Sequence, residues 1–144
     1  IGVGMPCNQF INMKQTYFQA QEAIRISQIV DSNVTVSFFD RYSIYHLLSS
    51  VSDDLLENFC ETVLGPLMRY DKEDSADLIK TLDQYFGCNT NISLLAKNMY
   101  IHRNTAIYRI EKIKSILNTN LDDAEELLKL QLALHIYKVM TKRQ

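Results

Sequence analysis

The hydrophobic positions change their period three times along the 144 residues. The opening IGVGMP (1–6) is a short apolar run closed by Gly4 and Pro6, and it predicts a buried strand. The segment FINMKQTYFQAQEAIRISQIV (10–30) places Ile11, Tyr17, Phe18, Ala20, Ala23, Ile24 and Ile29 at roughly helical spacing. That spacing predicts a long helix, ended by Asp31–Asn33. NVTVSFFD (33–40) has the β-branched and aromatic content of a strand. The first forty residues therefore read as β-α-β, a small fragment of an α/β domain.

Everything after Arg41 carries a helical pattern. YSIYHLLSSV is followed by SDDLLENFCETVL, where Ser52 or Asp53 is placed to cap a helix that Gly65-Pro66 is expected to interrupt. SADLIKTLDQYF (75–86) sets Leu78, Ile79, Leu82, Tyr85 and Phe86 on one side. NISLLAKNM (91–99) is a short helix with Ile92, Leu95, Ala96 and Met99 as its buried stripe, and Tyr100-Ile101 is a turn. A further helix is expected over 103–117, with His102 at its N-cap. The last begins at LDDAEELL, where Asp122 or Asp123 can cap and Glu125 or Glu126 can complete a capping box. This last helix is almost apolar all round through Leu127, Leu128, Leu130, Leu132, Leu134, Ile136 and Val139. Such a helix is the centre of a bundle or is buried against a second copy. The expected fold class is mainly α: a helix-turn-helix bundle (73–144), preceded by a helical connector (41–72) and the β-α-β fragment (1–40).

Composition removes several function classes. Hydrophobic content of 47% beside 22% charge argues for a folded chain. No apolar run approaches the roughly 18 residues of a membrane span. Cys7, Cys60 and Cys88 are odd in number, far apart and without CxxC spacing. They read as reduced thiols of a cytoplasmic protein, with neither a disulfide nor a metal site expected. No P-loop, GxSxG, HExxH or GxGxxG is present, so neither an enzyme nor a cofactor is expected. The chain starts at Ile1 in a strand-like run, which is expected of the C-terminal part of a longer polypeptide.

The net charge of −2 does not itself favour nucleic acid, but its distribution does. Residues 50–91 hold nine acids against three bases, whereas residues 92–114 hold five bases against Glu111 alone. A local positive field attracts phosphate even on an acidic chain. Residues about 100° apart on the 103–117 helix put Ala106, Ile110, Ile113 and Leu117 on the core side. Asn104, Tyr108, Glu111 and Ser115 lie opposite, flanked by Arg103, Ile107 and Lys114 on one edge and by Thr105, Arg109 and Lys112 on the other. Small Ala96, apolar Ile101 in the turn, and Ala106 with Ile110 fit the packing needs of a helix-turn-helix. On DNA, Asn104 can pair with adenine and Arg103 with guanine, and Ile107 can touch a thymine methyl. Arg109, Lys112 and Lys114 are expected at backbone phosphates.

These residues carry a family resemblance. LIKTLDQYF, NISLLAKNMYIHRNTAIYRIEKI and LDDAEELLKLQLALHIY together resemble the C-terminal helix-turn-helix domain of PucR/CdaR-type bacterial transcription regulators. The match lies in His102–Thr105, Tyr108 and Arg109, and in Leu121–Asp123 with Leu130–Leu134. VLGPLMRYD (63–71) is similar to the family's connector, and IGVG with TYFQAQEA (16–23) resembles the tail of the degenerate GGDEF-like domain that often precedes it. The resemblance implies a sequence-specific DNA-binding regulator, usually an activator of catabolic genes such as those for purines or sugar diacids. It also implies a dimer or higher oligomer, with a small-molecule effector bound by an N-terminal region outside this chain. The implied DNA-binding residues are His102, Arg103, Asn104, Thr105, Ile107, Tyr108, Arg109, Lys112 and Lys114. Ile107 and Glu111 stand where relatives often carry Arg, and Ala106 replaces a usual Leu. A second reading from a different class is a protein-interaction or oligomerisation module without DNA binding, built on the apolar helix 124–140. A fragment of a nucleotide-cyclase-like enzyme would need a metal–carboxylate site that these residues do not supply.

Overall fold

A computed structural model describes residues 1–30, 34–74 and 76–143. The helix end expected at Asp31–Asn33 lies outside the described residues. Two strands and seven α-helices occur among those described, in the order β1 (Gly2–Val3), α1 (Met13–Val30), β2 (Ser37–Phe38), α2 (Ser43–Leu48), α3 (Asp53–Asp74), α4 (Leu78–Gly87), α5 (Ile92–Asn98), α6 (Arg103–Leu117) and α7 (Ala124–Arg143). The fold is mainly α, as the pattern predicted. It divides into two compact units, one formed by Ile1–Glu57 with His135–Gln144 and the other by Asn58–Leu134.

In the first unit β1 and β2 pair in parallel, with Gly2 opposite Ser37 and Val3 opposite Phe38. A crossover helix is needed between parallel neighbours, and α1 supplies it. Strand and helix lie close because β1 has no side chain at its tightest point: a Cβ on Gly2 would collide with the Ala20 carbonyl oxygen. A hydroxyl relay crosses from sheet to helix, with Ser37 donating to Ser27 Oγ at 2.6 Å and Ser27 donating to the Ile24 carbonyl at 2.9 Å. Ile26, Tyr42, Tyr45 and Val139 form the core of this unit. Tyr45 Oη and His135 Nδ1 share a hydrogen bond of 2.6 Å.

Several details differ from the sequence pattern. The strand expected over 33–40 shrinks to Ser37–Phe38, because the chain turns into a 3-10 helix at Phe39–Tyr42. Residues Phe10–Asn12 are likewise 3-10 rather than α. Part of the apolar stripe of α1 faces outward: Ala23 is fully buried, yet Ile24 and Phe18 are partly exposed and Tyr17 more so. Period alone cannot say which of two apolar faces finds a partner.

Helix α3 is the clearest correction. It runs unbroken from Asp53 to Asp74 with Pro66 inside it, although Gly65-Pro66 was expected to end it. Pro66 cannot donate to the Thr62 carbonyl, a local cost of roughly 3 kcal/mol. Leu64 and Leu67 on either side are both fully buried, and each contributes about 1.5–3 kcal/mol in staying on the same stripe. Packing wins over the local breaker.

The second unit holds α4, α5 and α6, each packed on the other two. Leu78, Leu82, Leu95, Ala106, Ile110 and Ile113 are buried at their junction. The start of α4 is capped from a distance, since the Asp71 carboxylate of α3 accepts from the Leu78 and Ile79 amides at 2.8 Å each. At α7, Asp123 Oδ1 accepts from the amides of Glu125 (3.0 Å) and Glu126 (2.9 Å). The expected capping box does not close, because the Glu126 carboxylate accepts from the Thr119 hydroxyl instead.

Candidate nucleic-acid interface

The connection from α5 to α6 sets the geometry of the site. Asn91 caps α5, its side chain accepting from the Leu94 amide at 3.0 Å. At the far end the Ile101 amide donates to the Ala96 carbonyl (3.0 Å) and the Tyr100 amide to the Lys97 carbonyl (3.2 Å). These are the two bonds of a Schellman ending, with Tyr100 at the left-handed position at φ +55°. Glycine is usual there, and a side chain costs about 1–2 kcal/mol. His102 then caps α6 as expected, its Nδ1 accepting from the Asn104 amide at 3.2 Å.

The α6 faces divide as the helical spacing predicts. Ala106, Ile110 and Ile113 are almost wholly buried, whereas Asn104 and Ser115 are exposed and Tyr108 is 66% exposed. His102, Arg103 and Thr105 are exposed too, and Ile107 is half-buried at the edge. Among the described residues, the side chains of Arg103, Asn104 and Thr105 have no hydrogen-bonding or ionic partner. All three remain available to a ligand.

The other three cations are already engaged. Arg109 Nη1 donates to Thr81 Oγ1 at 3.2 Å, tying α6 to the wholly buried Thr81 of α4. Its remaining guanidinium N–H groups still have donor capacity. Lys112 Nζ sits 4.9 Å from the ring centroid of Tyr70, a cation–π contact with α3. Lys114 Nζ pairs with Glu111 Oε1 at 3.0 Å one turn back on the same helix. Periodicity could not reveal the first two of these ties, because Thr81 and Tyr70 come from other helices. Tyr70 is the neighbour that the sequence pattern missed. Its phenol is held above its ordinary value, first by the hydrogen bond with Asp74, then by burial and by the nearby Asp74 charge.

Two helices joined by a four-residue turn, the second presenting an amphipathic outer face, define a helix-turn-helix domain. Residues 78–136 match the family described as the PucR C-terminal helix-turn-helix domain. This stretch is therefore similar to the helix-turn-helix domain of PucR-type regulators. Two curated proteins of Bacillus subtilis (strain 168) align along nearly all of it. The purine catabolism regulatory protein is 29% identical over 140 residues, which cover 97% of this chain and 26% of that protein. The proline-responsive transcriptional activator PutR is 29% identical over 141 residues, covering 96% and 34% respectively. The DNA-binding transcriptional activator AdeR of the same organism matches over 63 residues at 27% identity, covering 44% of this chain and 15% of that protein. The chain thus spans about a quarter to a third of the length of the first two relatives. No solved structure matches it. No helix among the described residues is long and apolar enough to cross a membrane.

Proposed function

We propose that the chain is the DNA-binding part of a transcriptional regulator of catabolic genes, reading the major groove of double-stranded DNA with α6. The observation that carries this reading is the unpartnered set Arg103, Asn104 and Thr105 at the start of α6, beside exposed Tyr108. In this reading Asn104 and Arg103 pair with bases, and Ile107 and Tyr108 line the contact. His102 caps the helix and positions its first turn, while Arg109, Lys112 and Lys114 supply phosphate contacts from the flanks. Activation is the mode favoured by the names of PutR and AdeR, and purine use, after the name of the purine catabolism regulatory protein, exemplifies the genes concerned. The regulator works as a homodimer or higher oligomer and is not an enzyme. Its effector is a small molecule bound outside this chain. We assign 1–40 to the tail of a GGDEF-like domain, 41–72 to a connector and 73–144 to the DNA-binding domain.

The test is a mobility shift on duplexes enriched by the wild-type chain from a random pool. Arg103→Ala and Asn104→Ala are each expected to lose roughly 5- to 150-fold in affinity, the worth of one good base contact of about 1–3 kcal/mol. Unchanged binding by both would remove these residues as readers. Log affinity falls with log salt by about 0.9 for each phosphate neutralised. The three cations placed at phosphates, Arg109, Lys112 and Lys114, give a slope of about −2.7 per chain. A chain that self-associates yet shows no salt-dependent DNA binding would instead be an interaction module. For a two-fold dimer the half-sites lie ~34–36 Å apart or a multiple of that.

A further inference from the structure

Tyr100 is 96% exposed, more than any other large hydrophobic side chain among the described residues. It occupies the left-handed position of the Schellman ending of α5, where its Cβ opposes the backbone conformation. The side chain therefore destabilises the turn and gains no burial within the chain. A glycine would close the same two hydrogen bonds without that opposition.

Its place along the chain gives the side chain something to do. Tyr100 lies three residues before Arg103, the first residue of α6, so their Cα atoms are at most ~10 Å apart. The major groove is about 12 Å wide. With the start of α6 inside the groove, the preceding turn stands over its wall, which is built of sugar and phosphate. A phenol suits that wall: the ring rests on deoxyribose and the hydroxyl donates to a phosphate oxygen.

We propose that Tyr100 is a DNA-backbone contact that orients the recognition helix, its hydroxyl donating to a phosphate at the edge of the groove read by Arg103 and Asn104. This rests on the DNA-binding reading above. Because the phenol is neutral, the contact adds affinity without releasing a counterion. It also carries no base information, so it acts on every sequence alike.

The experiment uses the 144-residue chain, a duplex enriched from a random pool, and a duplex of scrambled sequence. Tyr100→Phe keeps the backbone strain and removes the hydroxyl. It is expected to bind both duplexes about three- to tenfold more weakly, with an unchanged melting temperature and an unchanged salt slope. Tyr100→Gly is expected to weaken binding at least as much while melting a few degrees higher. Arg103→Ala serves as reference, because it lowers the salt slope by about 0.9 if that side chain meets a phosphate and acts mainly on the enriched duplex if it meets a base. Full affinity in Tyr100→Phe and Tyr100→Gly, with loss in Asn104→Ala, overturns the Tyr100 assignment and leaves the DNA-binding reading standing. Loss confined to the enriched duplex overturns the backbone contact, since a base would then be its target. A Tyr100→Gly chain that melts lower overturns the premise that the tyrosine opposes the fold. Absence of DNA binding by the wild-type chain overturns both readings together.

Discussion

Removing the Asp71 carboxylate tests how the recognition helix is supported. Asp71 is on α3, yet its two oxygens accept from the first two amides of α4, those of Leu78 and Ile79. The residue at the N-cap of α4 is Asp77, whose side chain makes no capping bond and whose backbone is left-handed at φ 55°. Both capped residues are buried, so water replaces the lost acceptor poorly. A single helix cap is worth about 0.5–2 kcal/mol, and a hydrogen bond to a charged group about 1.5–3 kcal/mol. Two such bonds at a site only partly closed to solvent give an expected loss of about 2–3 kcal/mol for Asp71→Ala. Asp71→Asn keeps one acceptor and loses the charge that favours a helix start, for a loss of about 1 kcal/mol. In a chain of this size each kcal/mol shifts the melting temperature by roughly 3–4 °C, so Asp71→Ala is expected to melt about 6–12 °C lower. Urea denaturation followed by circular dichroism gives the free energy, and amide exchange at Leu78 and Ile79 locates the effect. A loss below about 0.5 kcal/mol, or exchange unchanged at those amides, would refute the assignment of Asp71 as the cap of α4. Since α4 carries the Thr81 that holds Arg109, the same variant is expected to bind DNA more weakly in proportion to its unfolded fraction.

The remaining predictions concern other parts of the chain. Burial first, and the Glu61 charge second, push the Cys60 thiol up to about 11. At pH 8 about one molecule in a thousand then carries the thiolate. With Cys88 also buried and Cys7 exposed, one thiol per chain is expected to react rapidly with Ellman's reagent and the other two only on unfolding; three rapid equivalents would contradict the packing. Pro66→Ala restores an amide donor within α3 and is expected to stabilise the chain by about 1–2 kcal/mol, after allowing for the freer unfolded chain. A lower urea midpoint for that variant would show that proline shapes the helix it sits in. Glu22 is held below its ordinary value of 4.5, chiefly by the hydrogen bond from Arg25. Its contribution to stability is therefore present above that value and is lost as the pH falls through the lowered one. A carbon-13 titration of the Glu22 carboxyl is expected to move back toward 4.5 in Arg25→Gln, and an unmoved midpoint would remove Arg25 as the cause.

The division of α6 into a buried side at Ala106, Ile110 and Ile113 and an exposed side at Asn104 and Tyr108 was legible in the order of residues alone. So were the His102 cap and the turn at Tyr100-Ile101. These features depend on the 3.6-residue period and on groups a few positions apart, which any stretch of chain carries with it. The helix-turn-helix class followed from the same local spacing. What tertiary structure alone decided is which elements become neighbours. It passed α3 through Pro66, because core leucines on both sides share one buried stripe. It capped α4 with Asp71, seven residues before the first amide it receives. It turned part of the apolar stripe of α1 outward. It also sorted the cations of α6, binding Arg109 to Thr81 and setting Lys112 over Tyr70 while leaving Arg103 unpartnered. A sequence shows that a helix has a charged flank; the helices packed against it decide which of those charges remain free to meet a ligand.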